Sequence, residues 1–300
     1  MTSLFDNRYD LLSMFDSIFF GSSRHTIWEL LGSVPKAKSL MADVKKNKWT
    51  EKVLGIIPAR YSSTRFPGKP LIRIGEKSMI QWVYERSNSV LAQVVVATDD
   101  HRIQEEVQSF GGKVIMTDAN HPSGTDRCRE ALDLWVKENS LEPDAVVNIQ
   151  GDEPFIHTSQ IEQLAQLILQ PEVEIATLVK PISEYPDLIN PNIPKVVVGT
   201  DFQALYFSRQ PIPYLRSQAI ENWLNHHTYY KHIGLYAYRS AVLRRITQLP
   251  NSKLEQAESL EQLRWLEHQF RIHVGLTLEE TLAIDTPEDY QEALKRTSPL

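Results

Sequence analysis

Short apolar runs, separated by amphipathic stretches, fill the chain from Val53 onward. Candidate strands fall at 53–57, 93–97, 113–116, 145–149 and 174–179. Each is mostly apolar, often β-branched, and bounded by turn formers or charge. Continuous rather than alternating hydrophobicity marks strands buried on both faces, as in a parallel sheet. Between the strands the apolar spacing becomes helical. Ser78 can cap a helix over 79–89 that sets Ile80, Val83 and Tyr84 on one face. Residues 100–110 and Gly124 to Val136 predict two more helices. Ser159 opens a fourth, carrying Ile161, Leu164, Leu167 and Ile168. The alternation predicts an α/β fold: a Rossmann-like, mostly parallel sheet covered on both faces.

Near residue 181 the pattern changes. Pro181, Pro186, Pro191 and Pro194 punctuate a loop region. Strand-like pieces at 195–199, 204–208 and 232–238 follow, expected to be antiparallel. An amphipathic helix around 255–268, a strand at 272–276 and a closing helix after Thr286-Pro287 complete the series. The section around 181–240 reads as a small antiparallel excursion, a lid or dimer surface hung on the main sheet.

Residues 1–50 differ from the rest. Short apolar patches with helices near 9–20 and 25–32 lead to the basic run Lys45-Lys46-Asn47-Lys48. The segment is either a genuine extension, or translation begins at Met41 and leaves a short tail before Val53, and the second reading is favoured. Asp6, Asp10 and Asp16 interrupt its apolar clusters, which breaks the order of a secretory signal. No run reaches the length of a membrane span. The expected location is cytoplasmic.

The 300 residues are 42% hydrophobic and 23% charged, an ordinary globular balance. A formal net charge of −6 argues against a nucleic-acid binder that works through a broad basic surface. Cys128 is the single cysteine, which excludes an internal disulfide and a Cys-rich zinc site.

The candidate chemistry sits at strand ends, where open α/β sheets bind ligands. After the first strand, Pro58-Ala59-Arg60 leads through Arg65 to Gly68-Lys69-Pro70. Three cations, serines and a glycine suit a nucleoside triphosphate; the plainer reading is a solvated basic loop. Asn148-Ile149-Gln150-Gly151-Asp152-Glu153-Pro154 also ends a buried strand, placing Asp152 to hold a divalent cation, or simply to form a turn. Asp285, before Thr286-Pro287, is a second metal carboxylate or a helix cap. His121-Pro122-Ser123-Gly124-Thr125-Asp126-Arg127 either reads a base edge or caps a helix. Arg209 can pair a carboxylate. His232, Tyr236, Glu261 and Gln262 can bind sugar hydroxyls, or serve structure and solvation alone.

Taken together these segments resemble the sugar nucleotidylyltransferases, and among them the 3-deoxy-manno-octulosonate (Kdo) cytidylyltransferases, the CMP-Kdo synthetases. The resemblance is carried by the triphosphate-type loop and by Ala97-Thr98-Asp99, Ser123-Gly124-Thr125, Asn148 to Pro154, Ala204 to Arg209, His232 to Tyr236, Leu260 to Arg264 and Asp285 to Asp289. It covers roughly Val53 to Arg296, departing from the family pattern at Pro194 and at His121-Pro122. It implies a GT-A-like nucleotidylyltransferase domain over 51–300. It also implies Mg²⁺-dependent transfer of CMP from CTP to Kdo with release of pyrophosphate, for lipopolysaccharide synthesis. By that resemblance Arg60 and Lys69 hold phosphates, with Arg65 assisting, and Asp152 and Asp285 bind Mg²⁺. Pro58, Ala59 and Ser123, Gly124, Thr125 and Arg127 surround the nucleotide. Gln150, Arg209, His232, Tyr236, Glu261 and Gln262 line the Kdo pocket. A homodimer is implied, with contacts from 181–240. Open alternatives are 8-amino-Kdo, sialic acid or another sugar acid as acceptor, and an inactive nucleotide-sugar-binding protein.

Overall fold

The computed structural model describes residues 49–62 and 66–280, and beyond them 284, 286, 289–291 and 294. The chain divides between Asn47 and Lys48, and the described residues belong to the unit Lys48–Leu300. The expected N-terminal extension lies outside them apart from Trp49 and Thr50.

In chain order the elements are β1 (Val53–Pro58), β2 (Arg73–Ile74), β3 (Lys77–Ser78), α1 (Met79–Asn88), β4 (Gln93–Thr98), α2 (His101–Ser109), β5 (Val114–Met116), α3 (Gly124–Asn139), β6 (Ala145–Asn148) and α4 (Thr158–Ile168). They continue as β7 (Ile175–Pro181), α5 (Tyr185–Ile189), β8 (Lys195–Val198), β9 (Ala204–Ser208), α6 (Trp223–His226), β10 (Tyr230–Arg239), α7 (Ser240–Ile246), α8 (Lys253–Glu258), α9 (Gln262–Glu267) and β11 (Ile272–Leu276). Polar caps set where several helices start. Ser78 accepts from Gln81 N, Asp100 from Arg102 N at 2.9 Å, and Ser123 from Asp126 N at 3.1 Å. Such side chains satisfy donors the first turn leaves open.

The main sheet runs β11-β7-β10-β6-β1-β4-β5, with β8 and β9 extending from β10. Side chains alternate across it, and both faces are apolar. Leu54, Ile56, Val95, Ala97 and Val146 pack with Leu132 and Trp135 of α3, Leu243 of α7 and Trp265 of α9. Val53, Ile57, Val94, Val96 and Val147 pack with Ile80 of α1, Ile103 of α2 and Leu164 of α4. Fully burying one such aliphatic side chain stabilises the fold by about 1.5–3 kcal/mol. This double burial is why the strands read as continuous apolar runs.

The path reverses at β1. β4 lies beside β1 on one side, and β5 beyond it. The chain then returns through α3 to lay β6 parallel to β1 on the other side. That reversal opens a crevice at the carboxyl ends of β1 and β6.

Three expectations are corrected. The section 181–240 is not hung on the sheet: β10 runs through it, antiparallel between β6 and β7, and only β8 and β9 project. The helix expected at 255–268 is two helices. Ser259, at φ 51° in the left-handed region, ends α8, and α9 starts at Gln262. Apolar spacing cannot register a single left-handed residue, because it does not interrupt the pattern. The fourth helix begins one residue early, at Thr158 with His157 before it.

Candidate active site

A cavity of about 260 Å³ opens at the reversal point. Its walls come from three strand ends and their loops. β1 supplies Pro58, Ala59 and Arg60, the turn after it Lys69, and the end of β6 Gln150, Gly151 and Asp152. The loop entering α3 supplies His121, Ser123, Gly124 and Arg127.

Local chemistry explains how these segments converge. Ala59 N donates to Ala97 O at 2.9 Å, extending the β1–β4 ladder to the rim. The loop after it closes where Gly68 N donates to Tyr61 O at 2.9 Å. Gly68 is left-handed, with φ 72°, and a Cβ there would lie 3.1 Å from the Tyr61 ring. A side chain there would be strained by the backbone conformation and crowded against the ring. At Gly151 a Cβ would lie 3.1 Å from Pro58 O, so the absence of a side chain lets the two strand ends approach closely.

Within the cavity Lys69 Nζ donates to Asp152 Oδ2 at 2.8 Å. Both side chains are largely covered, and the pair lies between the cationic loop and the β6 turn. Ile284 N donates to Asp152 O at 3.0 Å, so the chain just ahead of position 285 is pinned to the same turn. Asp285 and Arg65 themselves lie outside the described residues. Arg60 is exposed on the rim.

The α3 loop is more occupied. Arg127 is buried; its Nη2 forms an ion pair with Asp99 Oδ1 at 3.0 Å, and its Nη1 donates to Thr117 Oγ1 at 2.6 Å. Thr125 does not line the cavity; its hydroxyl donates to Glu261 Oε2 at 2.8 Å, and Ser123 Oγ donates to Glu261 Oε1 at 3.0 Å. Burial raises the Glu261 carboxyl above its ordinary value, and those hydroxyls partly offset the effect. Glu261 therefore ties the start of α9 to the start of α3.

Of the residues expected around the sugar only Gln150 lines the cavity; His232 and Tyr236 lie on β10, Arg209 follows β9, and Glu261 and Gln262 stand at the start of α9. Gln150 Nε2 donates to Gly234 O at 3.0 Å, inside a bulge of β10 between Ile233 and Tyr236. Thr177 Oγ1 braces that bulge, 2.7 Å from Leu235 O and 3.0 Å from His232 Nε2. The His232 ring centre is 5.1 Å from that of Tyr236 and 5.3 Å from that of Phe207. Burial pushes the His232 imidazole down to about 3 and the Tyr236 phenol well up, so both are neutral near pH 7. Gln262 is buried, and its Nε2 has no hydrogen-bond partner among the described residues. A buried orphan donor of this kind is a place for a ligand hydroxyl.

Arg209 caps the end of α8. Its Nε donates to Glu258 O at 2.6 Å, Nη2 to Ser259 O at 3.2 Å, and Nη1 to Pro191 O at 2.9 Å. A guanidinium carries five N–H groups. One N–H on each terminal nitrogen therefore remains.

His121 was outside the expected ligand set yet lines the cavity, paired with Glu130. Its place directly ahead of Pro-Ser-Gly was the available signal.

The described residues contain no cluster of three or more metal-ligating side chains. Mg²⁺ does not need one, since one or two carboxylates with phosphate oxygens suffice. Asp152, facing the cavity beside Lys69, fits such a site. No helix among the described residues is long and apolar enough to cross a membrane.

A crevice at the reversal of a parallel sheet, lined by cations, a carboxylate and a helix-opening Ser-Gly, defines a nucleotide-handling enzyme. The chain belongs to the cytidylyltransferase family, whose sequence profile matches residues 54–272. It is 56% identical over 247 residues to the 3-deoxy-manno-octulosonate cytidylyltransferase of Parabacteroides distasonis, covering 81% of this chain and 97% of that one. It is 57% identical over 240 residues to the enzyme of the same name from Cytophaga hutchinsonii, covering 79% and 94%. Among solved structures it resembles a CMP:2-keto-3-deoxy-manno-octonic acid synthetase complexed with CTP. The TM-score is 0.74 at 44% identity, covering 82% of this chain and 98% of that one.

Proposed function

We propose that this enzyme transfers CMP from CTP to the anomeric hydroxyl of 3-deoxy-D-manno-octulosonate, giving CMP-Kdo and pyrophosphate. The observation that carries this reading is the cavity where Arg60, Lys69, Asp152 and Ser123-Gly124 converge at the β1 and β6 ends. Relatives of this name align over nearly their whole length.

In the reaction the anomeric oxygen attacks the α-phosphorus in line. Its bond to phosphorus forms as the bond to the β-phosphate oxygen breaks, and the hydroxyl proton leaves to solvent. Such displacements depend on alignment and on offsetting charge. Arg60 and Lys69 hold the triphosphate, with Arg65 as a further cation. Pro58 and Ala59 form the floor, Ser123, Gly124 and Arg127 shape the base side, and Thr125 acts behind them through its bond to Glu261. Asp152 and Asp285 would hold Mg²⁺, which would offset phosphate charge. Lys69 leaves Asp152 for phosphate as the nucleotide enters, freeing that carboxylate for the metal. Gln150, His232, Tyr236, Glu261 and Gln262 bind sugar hydroxyls, and Arg209 takes the sugar carboxylate with its two remaining N–H groups.

The test is pyrophosphate release from CTP and Mg²⁺ with Kdo, 8-amino-Kdo or sialic acid as acceptor. Release with Kdo is expected; release with sialic acid alone defeats the substrate assignment. We also infer a cytoplasmic homodimer joined through the 181–240 section, where Leu205 and Tyr214 are exposed. A monomer in sedimentation equilibrium removes the dimer.

A further inference from the structure

Two cations on the sugar side, Lys195 and Arg209, have no carboxylate within ion-pair distance among the described residues. Lys195 opens β8 and its side chain is fully buried. Its Nζ donates to Asn190 O at 2.8 Å. The next carbonyl, Pro191 O, accepts from Arg209 Nη1. One turn is therefore held by both cations.

The surrounding charges do not neutralise the pair. Lys195 is in register with Ser208 of β9, the residue before Arg209, and with Lys231 of β10. Lys231 directs its ammonium to Asp187 and Glu280, at 3.2 and 2.7 Å. The acid that enters the group is Glu258 of α8. Its carboxylate oxygens take Ser208 Oγ at 2.7 Å and Arg209 N at 2.9 Å, not the ammonium or the guanidinium. A buried cation held only by a neutral carbonyl is expensive unless an anion completes its surroundings. Surplus positive charge behind a guanidinium with open N–H groups favours that anion.

We infer that Lys195 is a positioning residue of the acceptor site. It fixes the Asn190–Pro191 turn that fixes Arg209, and it places a second positive charge behind that guanidinium, so that the site selects a carboxylate-bearing sugar. The inference rests on the proposed function and deepens it. A lysine that merely holds the fold would affect both substrates alike.

The test compares the wild-type chain with Lys195→Met and Lys195→Arg by pyrophosphate release, using Kdo and its carboxamide. Lys195→Met should raise KM for Kdo about tenfold while KM for CTP moves less than about twofold. It should erase about tenfold of the preference for carboxylate over carboxamide, and Lys195→Arg should retain that preference. A third readout needs no variant to fold. Burial and the neighbouring Arg209 lower the Lys195 ammonium to about 8, with Glu258 partly opposing them. Wild-type KM for Kdo should therefore climb as pH rises through that value, while KM for CTP does not follow. Equal rises in both KM values, an unchanged carboxylate preference, or a flat wild-type profile overturns the inference. A wild-type chain that releases no pyrophosphate from CTP and Kdo instead overturns the functional reading beneath it. An active wild type with an unaltered Lys195→Met sinks the role of Lys195 alone.

Discussion

The nucleotide side and the sugar side of the site are built differently. At the ends of β1 and β6 the cavity is open, Arg60 stands exposed, and the Lys69–Asp152 pair lies where an incoming polyanion can divide it. Beside β10 most polar groups are already engaged with the protein, Arg209 with three carbonyls, Gln150 with Gly234 and His232 with Thr177, while Gln262 Nε2 and the Tyr236 hydroxyl have no hydrogen-bond partner among the described residues. One region is prepared for a large, highly charged ligand whose own charge drives binding. The other must discriminate among sugars, and rigid, mutually bonded groups do that best, because little remains to be ordered on binding. Glu261 joins the two, being part of the sugar wall yet bonded to the hydroxyls that open α3.

The largest expected effect breaks the nucleotide side. Asp152→Asn should cut turnover by about three orders of magnitude, since it weakens both the metal site and the partner of Lys69. Its melting temperature should stay close to wild type. Near-normal Mg²⁺-dependent turnover would remove Asp152 from metal binding. On the sugar side Arg209→Ala should raise KM for Kdo by about 10- to 100-fold, the range for a lost charge-assisted bidentate contact. KM for CTP should rise far less; equal increases would take Arg209 out of the sugar pocket.

Glu261→Gln tests whether the regions are linked. It keeps the shape but weakens two hydrogen bonds from Ser123 and Thr125, so both KM values should rise, each by about three- to tenfold. A rise for Kdo alone would confine Glu261 to the sugar wall. The smallest effect is on stability. The His232 imidazole is held down to about 3, below its unfolded value near 6.5, so the unfolded chain binds a proton first as pH falls. Stability from this group is complete above pH 6.5 and is lost as pH drops toward 3, by up to about 1.4 kcal/mol per pH unit. Denaturant unfolding of His232→Gln should show a shallower acid slope than wild type; an identical slope excludes His232 as its source.

Much of the sheet was legible. β1, β4, β6 and β7 appear as unbroken apolar runs because both faces are covered. Ser78 announces a helix cap through chemistry that is local to it. Contacts between distant segments were not legible. That β10 enters the main sheet depends on strand pairing, which leaves no mark on strand composition. The expected helix over 255–268 hid the break at Ser259. Lys195 showed only as a lysine ahead of Val196-Val197-Val198, and nothing local reveals that its ammonium is enclosed.

By itself the sequence determined the α/β class, the residues at the carboxyl ends of β1 and β6, and the family resemblance, because these rest on periodicity and short motifs. Only the tertiary structure decided that Lys69 meets Asp152, that Glu261 bridges two helix starts, and that Lys195 and Arg209 hold one turn. Those pairings join residues up to 138 positions apart, and their geometry is fixed by packing of the whole sheet rather than by any neighbouring residue.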